Sequence, residues 1–229
     1  MEKLKTVAVV SGGMDSVTML HKLANQGHEL EAISFNYGQR HAKELNLAAE
    51  NARILNIGHK IVNLSFMREL ASNSALTGDI EVPEGHYEQE NMKLTVVPNR
   101  NMIMGAIAIG YAVNLEYDNI ALGIHSGDHA IYPDCRPEFA DALGYIASIA
   151  NYRPIDVLTP YIDADKTKII AEGLELGVDY AKTWTCYKGQ GKACGVCGSC
   201  QERLEAFTNN NIEDPLDYEQ RQPIAKIHD

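Results

Sequence analysis

Residues 6–20 read TVAVVSGGMDSVTML: an unbroken apolar run, two adjacent glycines, an acid, then apolar residues at helical spacing. A strand with no polar alternation is buried on both faces, and in one layer that means a parallel sheet covered by helices. Val17, Leu20 and Ala24 recur at i, i+3 and i+7, and Gly27 closes the helix. The glycines thus join a strand end to a helix start.

The rhythm repeats. ELEAISFNYG (29–38) reads as a second strand and HAKELNLAAENARILNI (41–57) as a second helix, with Leu45, Ala48, Ala52 and Leu55 on one side. HKIVNLS (59–65) is a third strand. This β-α-β-α-β order implies a doubly wound parallel α/β sheet with right-handed crossovers. NMIMGAIAIGYAVNLEY (101–117) is apolar nearly all round and is expected to be a buried helix. NIALGI (119–124) and IDVLTP (155–160) are further strands, and LTVVP (94–98) is a short strand or extended segment. RPEFADALGYIASIA (136–150), with Pro137 in its first turn, DADKTKIIAEGLELG (163–177), stopped by Gly177, and GSCQERLEAFTNN (198–210) are helices. Residues 72–93 are polar and too long for an ordinary connector. They suit a mobile flap near a site, a partner-contact loop or a disordered stretch. The last twenty residues carry little pattern and read as a frayed tail.

The 229 residues allow one large domain, or one domain and a small appendage. The boundaries expected are a nucleotide-binding part over 1–180 and a cysteine segment with the tail over 181–229, packed on it. A net charge of −11 argues against a nucleic-acid or anionic-membrane surface, but leaves room for a small anionic substrate held by local cations. No apolar stretch is long enough to span a bilayer, and the N-terminal MEKLKTVAVVSGG reads as a strand, not a secretion signal. The cytoplasm is the expected compartment, and there clustered cysteines more often bind metal than pair.

Glycines between strand and helix make an anion seat. The first helical N–H groups lack intrahelical partners, and the helix dipole adds positive charge. Gly12 and Gly13 let a phosphate approach the backbone, and Ser11 and Ser16 add hydroxyls. A plain N-cap at a turn is the simpler alternative. The string is neither a Walker A loop nor a dinucleotide fingerprint. Asp15 beside polyphosphate would be repulsive unless a cation such as Mg²⁺ lay between them; otherwise it complements the helix N-terminus.

Cys186, Cys194, Cys197 and Cys200 fall within fifteen residues. Two C-x₂-C turns suit a tetrahedral Zn²⁺, structural because four protein ligands leave no open position. An iron–sulfur cluster is the rival. Lys182, Lys188 and Lys192 would offset thiolate charge. Cys135 stands apart, as a buried thiol or a site residue.

VAVVSGGMDSVTML resembles the pyrophosphate loop of the ATP-pyrophosphatases, whose signature is SGGxDS. The likeness implies an adenine nucleotide alpha hydrolase-like domain that transfers an adenylyl group from ATP. It places ATP on Val9, Val10, Ser11, Gly12, Gly13, Met14, Asp15, Ser16, Val17 and Thr18. With FNYGQRH, VPNRNMIM, YPDCRPEF, LTPYIDADKTKII and TWTCYKG…CGVCGSC, the chain is similar to the 7-cyano-7-deazaguanine synthase branch from about residue 6 to 207. That likeness implies ATP-dependent conversion of 7-carboxy-7-deazaguanine and ammonia to the nitrile, through adenylated carboxylate and amide. The alternatives are a relative that stops at the amide or adenylates another acceptor, and a non-catalytic zinc-knuckle module.

Asp15, Lys166 and Arg100 are the expected catalytic residues, although Lys166 also reads as a solvated helical lysine. Arg40 and His41, at the carboxyl edge of the sheet, and Tyr132, Asp134 and Arg136 are expected to bind the deazaguanine. Asp134 would meet its N–H donors, Arg136 its carboxylate and Tyr132 its ring. His125 and His129 suit a second metal, a general base or ordinary loop histidines. The expected partners are small molecules only, without nucleic acid or membrane, and the expected assembly is a homodimer.

Overall fold

Five strands, β1 (Lys5–Val9), β2 (Glu29–Asn36), β3 (Gly58–Asn63), β4 (Asn119–Ala121) and β5 (Asp156–Leu158), pair in the order β3-β2-β1-β4-β5, every pair parallel. The computed structural model describes residues 3–39, 43–189 and 191–221. The helices among them are α1 (Met14–Asn25), α2 (Lys43–Ile54), the one-turn α3 (Met67–Leu70), α4 (Arg100–Asn114), α5 (Pro137–Ile149), α6 (Lys166–Glu175) and α7 (Gly198–Asn209).

The strands sort their side chains by a period of two. Val7, Ile33 and Ile120 face a layer with Met104 of α4 and Leu143 of α5. Ala8, Ala32 and Ala121 face the other layer, with Leu20 of α1, Ala48 of α2, Ile169 of α6 and Phe207 of α7. Strand order runs outward from β1 in both directions, so the loops after β1 and β4 part company. That divergence opens a cleft at the carboxyl ends of the strands.

Four expectations change. LTVVP is not a strand: residues Glu90–Thr95 form a 3₁₀ turn, closed by Thr95 Oγ1 donating to Met92 O at 2.7 Å. Val97 is buried without joining the sheet. Helix α4 is not buried all round, since Met102 is 43% exposed. Residues 72–93 are packed, not loose: Ala75 and Val82 join the cysteines and Trp184 in a third apolar cluster. The tail as far as Arg221 is also held. Asp214 takes two hydrogen bonds from the fully buried Arg203, at 2.7 and 2.9 Å, and Glu219 N donates to Ala193 O at 2.8 Å. Among the described residues no helix is long and apolar enough to cross a membrane.

Candidate active site

The glycine loop lies at the floor of the cleft. Gly12 has φ +90°, and a Cβ there would sit 2.1 Å from the Glu44 carbonyl oxygen, so only glycine lets α2 press on the loop. Gly13 caps α1 with no side-chain hydrogen bond, which leaves the first helical N–H groups available. Ser11 and Ser16 bond to each other through their hydroxyls at 3.0 Å. Gly12 O accepts from Trp184 N at 2.9 Å, which ties the loop to the chain before the cysteines. Val9, Val10, Ser11, Gly13, Asp15 and Ser16 line the cavity. The side chains of Met14, Val17 and Thr18 turn into the core instead, and Thr18 Oγ1 donates to Met14 O.

Behind the loop sits a buried ionic group. Lys166, 7% exposed, donates to Glu202 Oε2 at 2.6 Å and lies 3.4 Å from Asp15 Oδ2, so it is not a solvated lysine. Burial would discharge it, but Asp15, Glu202 and Asp128 outweigh that and hold its pKa above the ordinary lysine range. Burial likewise opposes an ionised Asp15, but Lys166 and then His125 keep its pKa below the ordinary value. His125 is 1% exposed, and its Nδ1 accepts from Gly127 N at 3.1 Å. The ring proton of the neutral form therefore belongs on Nε2, which points at Asp128 (3.4 Å) and Asp15 (3.7 Å). Nε2 is buried and lies near both carboxylates, yet it makes no hydrogen bond with any described residue. His129 holds Arg136 through its backbone carbonyl, and its buried Nε2 has no described hydrogen-bond partner.

The carboxylates of Asp128 and Glu202 and the His125 ring come within 4.8 Å of one another. Three carboxylates, Asp15 included, face one buried ammonium, and Asp15 Oδ1 is buried without a partner. Surplus negative charge on oxygen donors fits a hard divalent cation such as Mg²⁺.

The other side of the cavity is aromatic. Arg100 opens α4, with its guanidinium 6.0 Å from the Tyr37 ring and 5.9 Å from that of Tyr132. Tyr132 lines the cavity, and its hydroxyl lies 2.6 Å from Thr95 Oγ1. Tyr187 and Glu44 also line it. Burial pushes the Glu44 carboxyl up to about 8; Arg100 opposes the shift and Cys186 adds to it. Cys135 lines the cavity as a buried thiol, and burial pushes its pKa well above the usual thiol range, favouring the protonated form.

Asp134 and Arg136 do not line the cavity. Asp134 Oδ2 accepts from Asn101 N at 2.9 Å, at the start of α4, and the exposed Arg136 donates to His129 O at 2.8 Å. Arg40 and His41 fall outside the described residues. Glu44, Asp128 and Glu202 carried no sequence signal, and Tyr37 and Tyr187 lie within FNYGQRH and TWTCYKG, where the pattern alone assigned them no role. Glu202, two residues past the last cysteine, looks like any polar residue on a short helix.

All four clustered cysteines are buried, with their sulfurs within 4.8 Å of one another. Cys186 Sγ accepts from Gly189 N (3.0 Å), Cys194 N (3.2 Å) and Lys188 N (3.4 Å). Cys194 Sγ accepts from Cys197 N and Val196 N. Amides aimed at sulfur suit thiolates, so the set fits a tetrahedral metal. Of the lysines, Lys188 feels the charge of Cys194 but pairs first with Glu84 at 2.7 Å, and Lys182 pairs with Glu50 at 3.3 Å. Residues 72–93 lie alongside, where Gly85 N donates to Val196 O and Tyr87 and Met92 reach the cavity.

The family model described as queuosine biosynthesis protein QueC matches residues 5–211. The chain is 54% identical over 215 residues to a 7-cyano-7-deazaguanine synthase of Pseudoalteromonas translucida (strain TAC 125), covering 94% of this chain and 99% of that protein. It is 56% identical over 213 residues to the enzyme of that name from Alteromonas mediterranea, covering 93% and 98%. Among solved structures, a predicted subunit of a tRNA methyltransferase from Methanocaldococcus jannaschii superposes with a TM-score of 0.50 at 20% identity, over 75% of each chain, a likeness of fold alone.

Proposed function

The chain belongs to the QueC family of queuosine biosynthesis proteins, and from that premise we propose that it makes 7-cyano-7-deazaguanine from 7-carboxy-7-deazaguanine, ammonia and ATP. The observation that carries this is the cavity itself, with the glycine loop and Lys166 on one side and Arg100 among tyrosines on the other.

A carboxylate oxygen is a poor leaving group. In the proposed reaction it attacks the α-phosphorus of ATP, releasing pyrophosphate and forming the acyl adenylate. Ammonia adds to the activated carbonyl and expels AMP, leaving the amide. The amide oxygen meets the same obstacle, so a second ATP adenylates it, and loss of AMP and protons leaves the nitrile. The balance is two ATP consumed, with two AMP and two pyrophosphates formed, per nitrile.

In this scheme the loop amides and the hydroxyls of Ser11 and Ser16 hold the pyrophosphate as it departs. Lys166, kept charged by Asp15 and Glu202, meets charge as it builds on the phosphates. When bound, Mg²⁺ would offset phosphate charge, held by Asp15, Asp128 and Glu202. Arg100 faces the substrate carboxylate and Tyr132 its ring. Zn²⁺ on Cys186, Cys194, Cys197 and Cys200 is structural, keeping the nucleotide-binding part (1–180) and the cysteine segment (181–229) as one body. We read the assembly as a homodimer through α5, whose Tyr145, Ile146 and Ile149 are 67, 51 and 62% exposed on one apolar face. The net charge of −11 speaks against a direct nucleic-acid partner.

Incubation with 7-carboxy-7-deazaguanine, ATP and ammonia, followed by mass spectrometry, tests the reading. The nitrile is the expected end product. An amide as sole product would refute the second activation, and absence of conversion would refute the whole assignment.

A further inference from the structure

We propose that Glu44 is the specificity-determining residue that accepts the N1–H and 2-amino protons of the deazaguanine, beside Arg100, which takes the neighbouring O6 edge.

Four carboxylates line the cavity: Asp15, Glu44, Asp128 and Glu202. Asp15 and Glu202 lie against Lys166, and Asp128 sits in the same ionic group, 3.4 Å from His125 Nε2. Asp134, the carboxylate that the sequence offered for this task, is committed to Asn101 N outside the lining. Glu44 remains. Its side chain makes no hydrogen bond or ion pair with any described residue, and its electrostatic neighbours are Arg100, Tyr37 and Cys186. It is also firmly placed, because its own carbonyl abuts Gly12 in the first turn of α2. Its distance from the phosphate loop is therefore fixed by backbone packing.

The chemistry of the base matches this pair. A guanine-type ring presents two parallel donors, N1–H and the 2-amino group, and a carboxylate is the side chain with two parallel acceptors. Next around the ring comes O6, and next to that the 7-carboxylate, both acceptors that suit a guanidinium. Arg100 and Glu44 interact electrostatically on the cavity wall without forming an ion pair within 4 Å, and Arg100, which also bonds Tyr37, has five N–H donors to share with a ligand. Burial alone favours a protonated Glu44; two N–H donors from the base, together with the charge of Arg100, favour the ionised carboxylate. Tyr37 and Tyr132 frame the same space.

The inference rests on the functional reading above, and one experiment separates the two. The full-length, zinc-loaded protein is assayed for kcat/KM, with ATP and ammonia saturating, on 7-carboxy-7-deazaguanine and on its analogue lacking the 2-amino group. The unaltered enzyme is expected to prefer the amino-bearing base by roughly 10- to 100-fold. Glu44→Gln places a donor against donors. It is expected to lose about that factor on the natural base and little on the analogue, so the preference collapses. Glu44→Asp, tested alongside with a thermal melt for each variant, keeps the carboxylate and should retain part of the preference even if the Gln variant folds poorly. A preference unchanged in Glu44→Gln, an equal loss on both bases, or no preference in the unaltered enzyme overturns the assignment of Glu44. Failure of the unaltered enzyme to convert either base overturns the functional reading, and this inference with it.

Discussion

Gly12 and Gly13 are neighbours with different duties. Gly12 is required by packing, since a methyl group there would collide with the Glu44 carbonyl and the φ is left-handed. Gly13 has extended backbone, and a Cβ would meet nothing closer than Ser11 Oγ at 3.3 Å. Gly12→Ala is therefore expected to cost about 2–4 kcal/mol in chemical denaturation. Gly13→Ala should cost about 1 kcal/mol or less, yet weaken ATP binding by calorimetry because its methyl intrudes on the phosphate seat. Equal stability losses in the two variants would contradict this division. Lys166→Met leaves Asp15 and Glu202 without their buried partner. It should lower kcat by roughly 100-fold or more and the melting temperature as well, whereas Lys166→Arg should preserve the melt. Legibility in the sequence follows the same line. Ser11, Asp15 and Ser16 were visible because their chemistry is local in the chain. Glu202, Asp128 and Glu44 were not, because only the meeting of distant elements brings them to the cavity. Asp134, the carboxylate that the sequence offered for the base, lies outside the cavity lining and accepts from Asn101 N.

The elements show a similar split. The strands and most helices follow from hydrophobic period. The tail and residues 72–93 do not, because their order comes from packing on the cysteine segment and α7, which no local period encodes. The cysteines were readable as a candidate metal set from spacing, but the backbone amides that donate to their sulfurs were not. Because Trp184 N bonds Gly12 O and Trp184 Nε1 bonds Cys186 O, the cysteine cluster and the glycine loop are mechanically joined. Stripping the metal with a strong chelator is expected to lower the melting temperature by roughly 10 °C or more and to weaken ATP binding in the same sample. A chelated protein that melts unchanged but loses turnover would argue against a structural metal. Asp214→Ala leaves Arg203 buried and unpaired, at a cost of about 3–5 kcal/mol. A frayed tail would make that substitution silent.

At the scale of the molecule, a chain of net charge −11 would have to concentrate positive charge at one point to take a triphosphate, as the proposed function requires: the α1 N-terminus, Lys166 and a divalent ion when bound. The doubly wound topology supplies that point, since the loops after β1 and β4 diverge there. If the exposed apolar face of α5 is the dimer interface proposed above, Tyr145→Glu with Ile149→Lys should shift the protein toward monomer in sedimentation. An unchanged sedimentation coefficient would remove α5 as the interface. The central claim concerns which phosphorus of ATP is attacked, and counting nucleotide products against base products in one reaction tests it most directly. Two AMP and two pyrophosphates per nitrile are expected. ADP and inorganic phosphate in their place, or a single AMP per finished product, would contradict repeated adenylyl transfer at this loop.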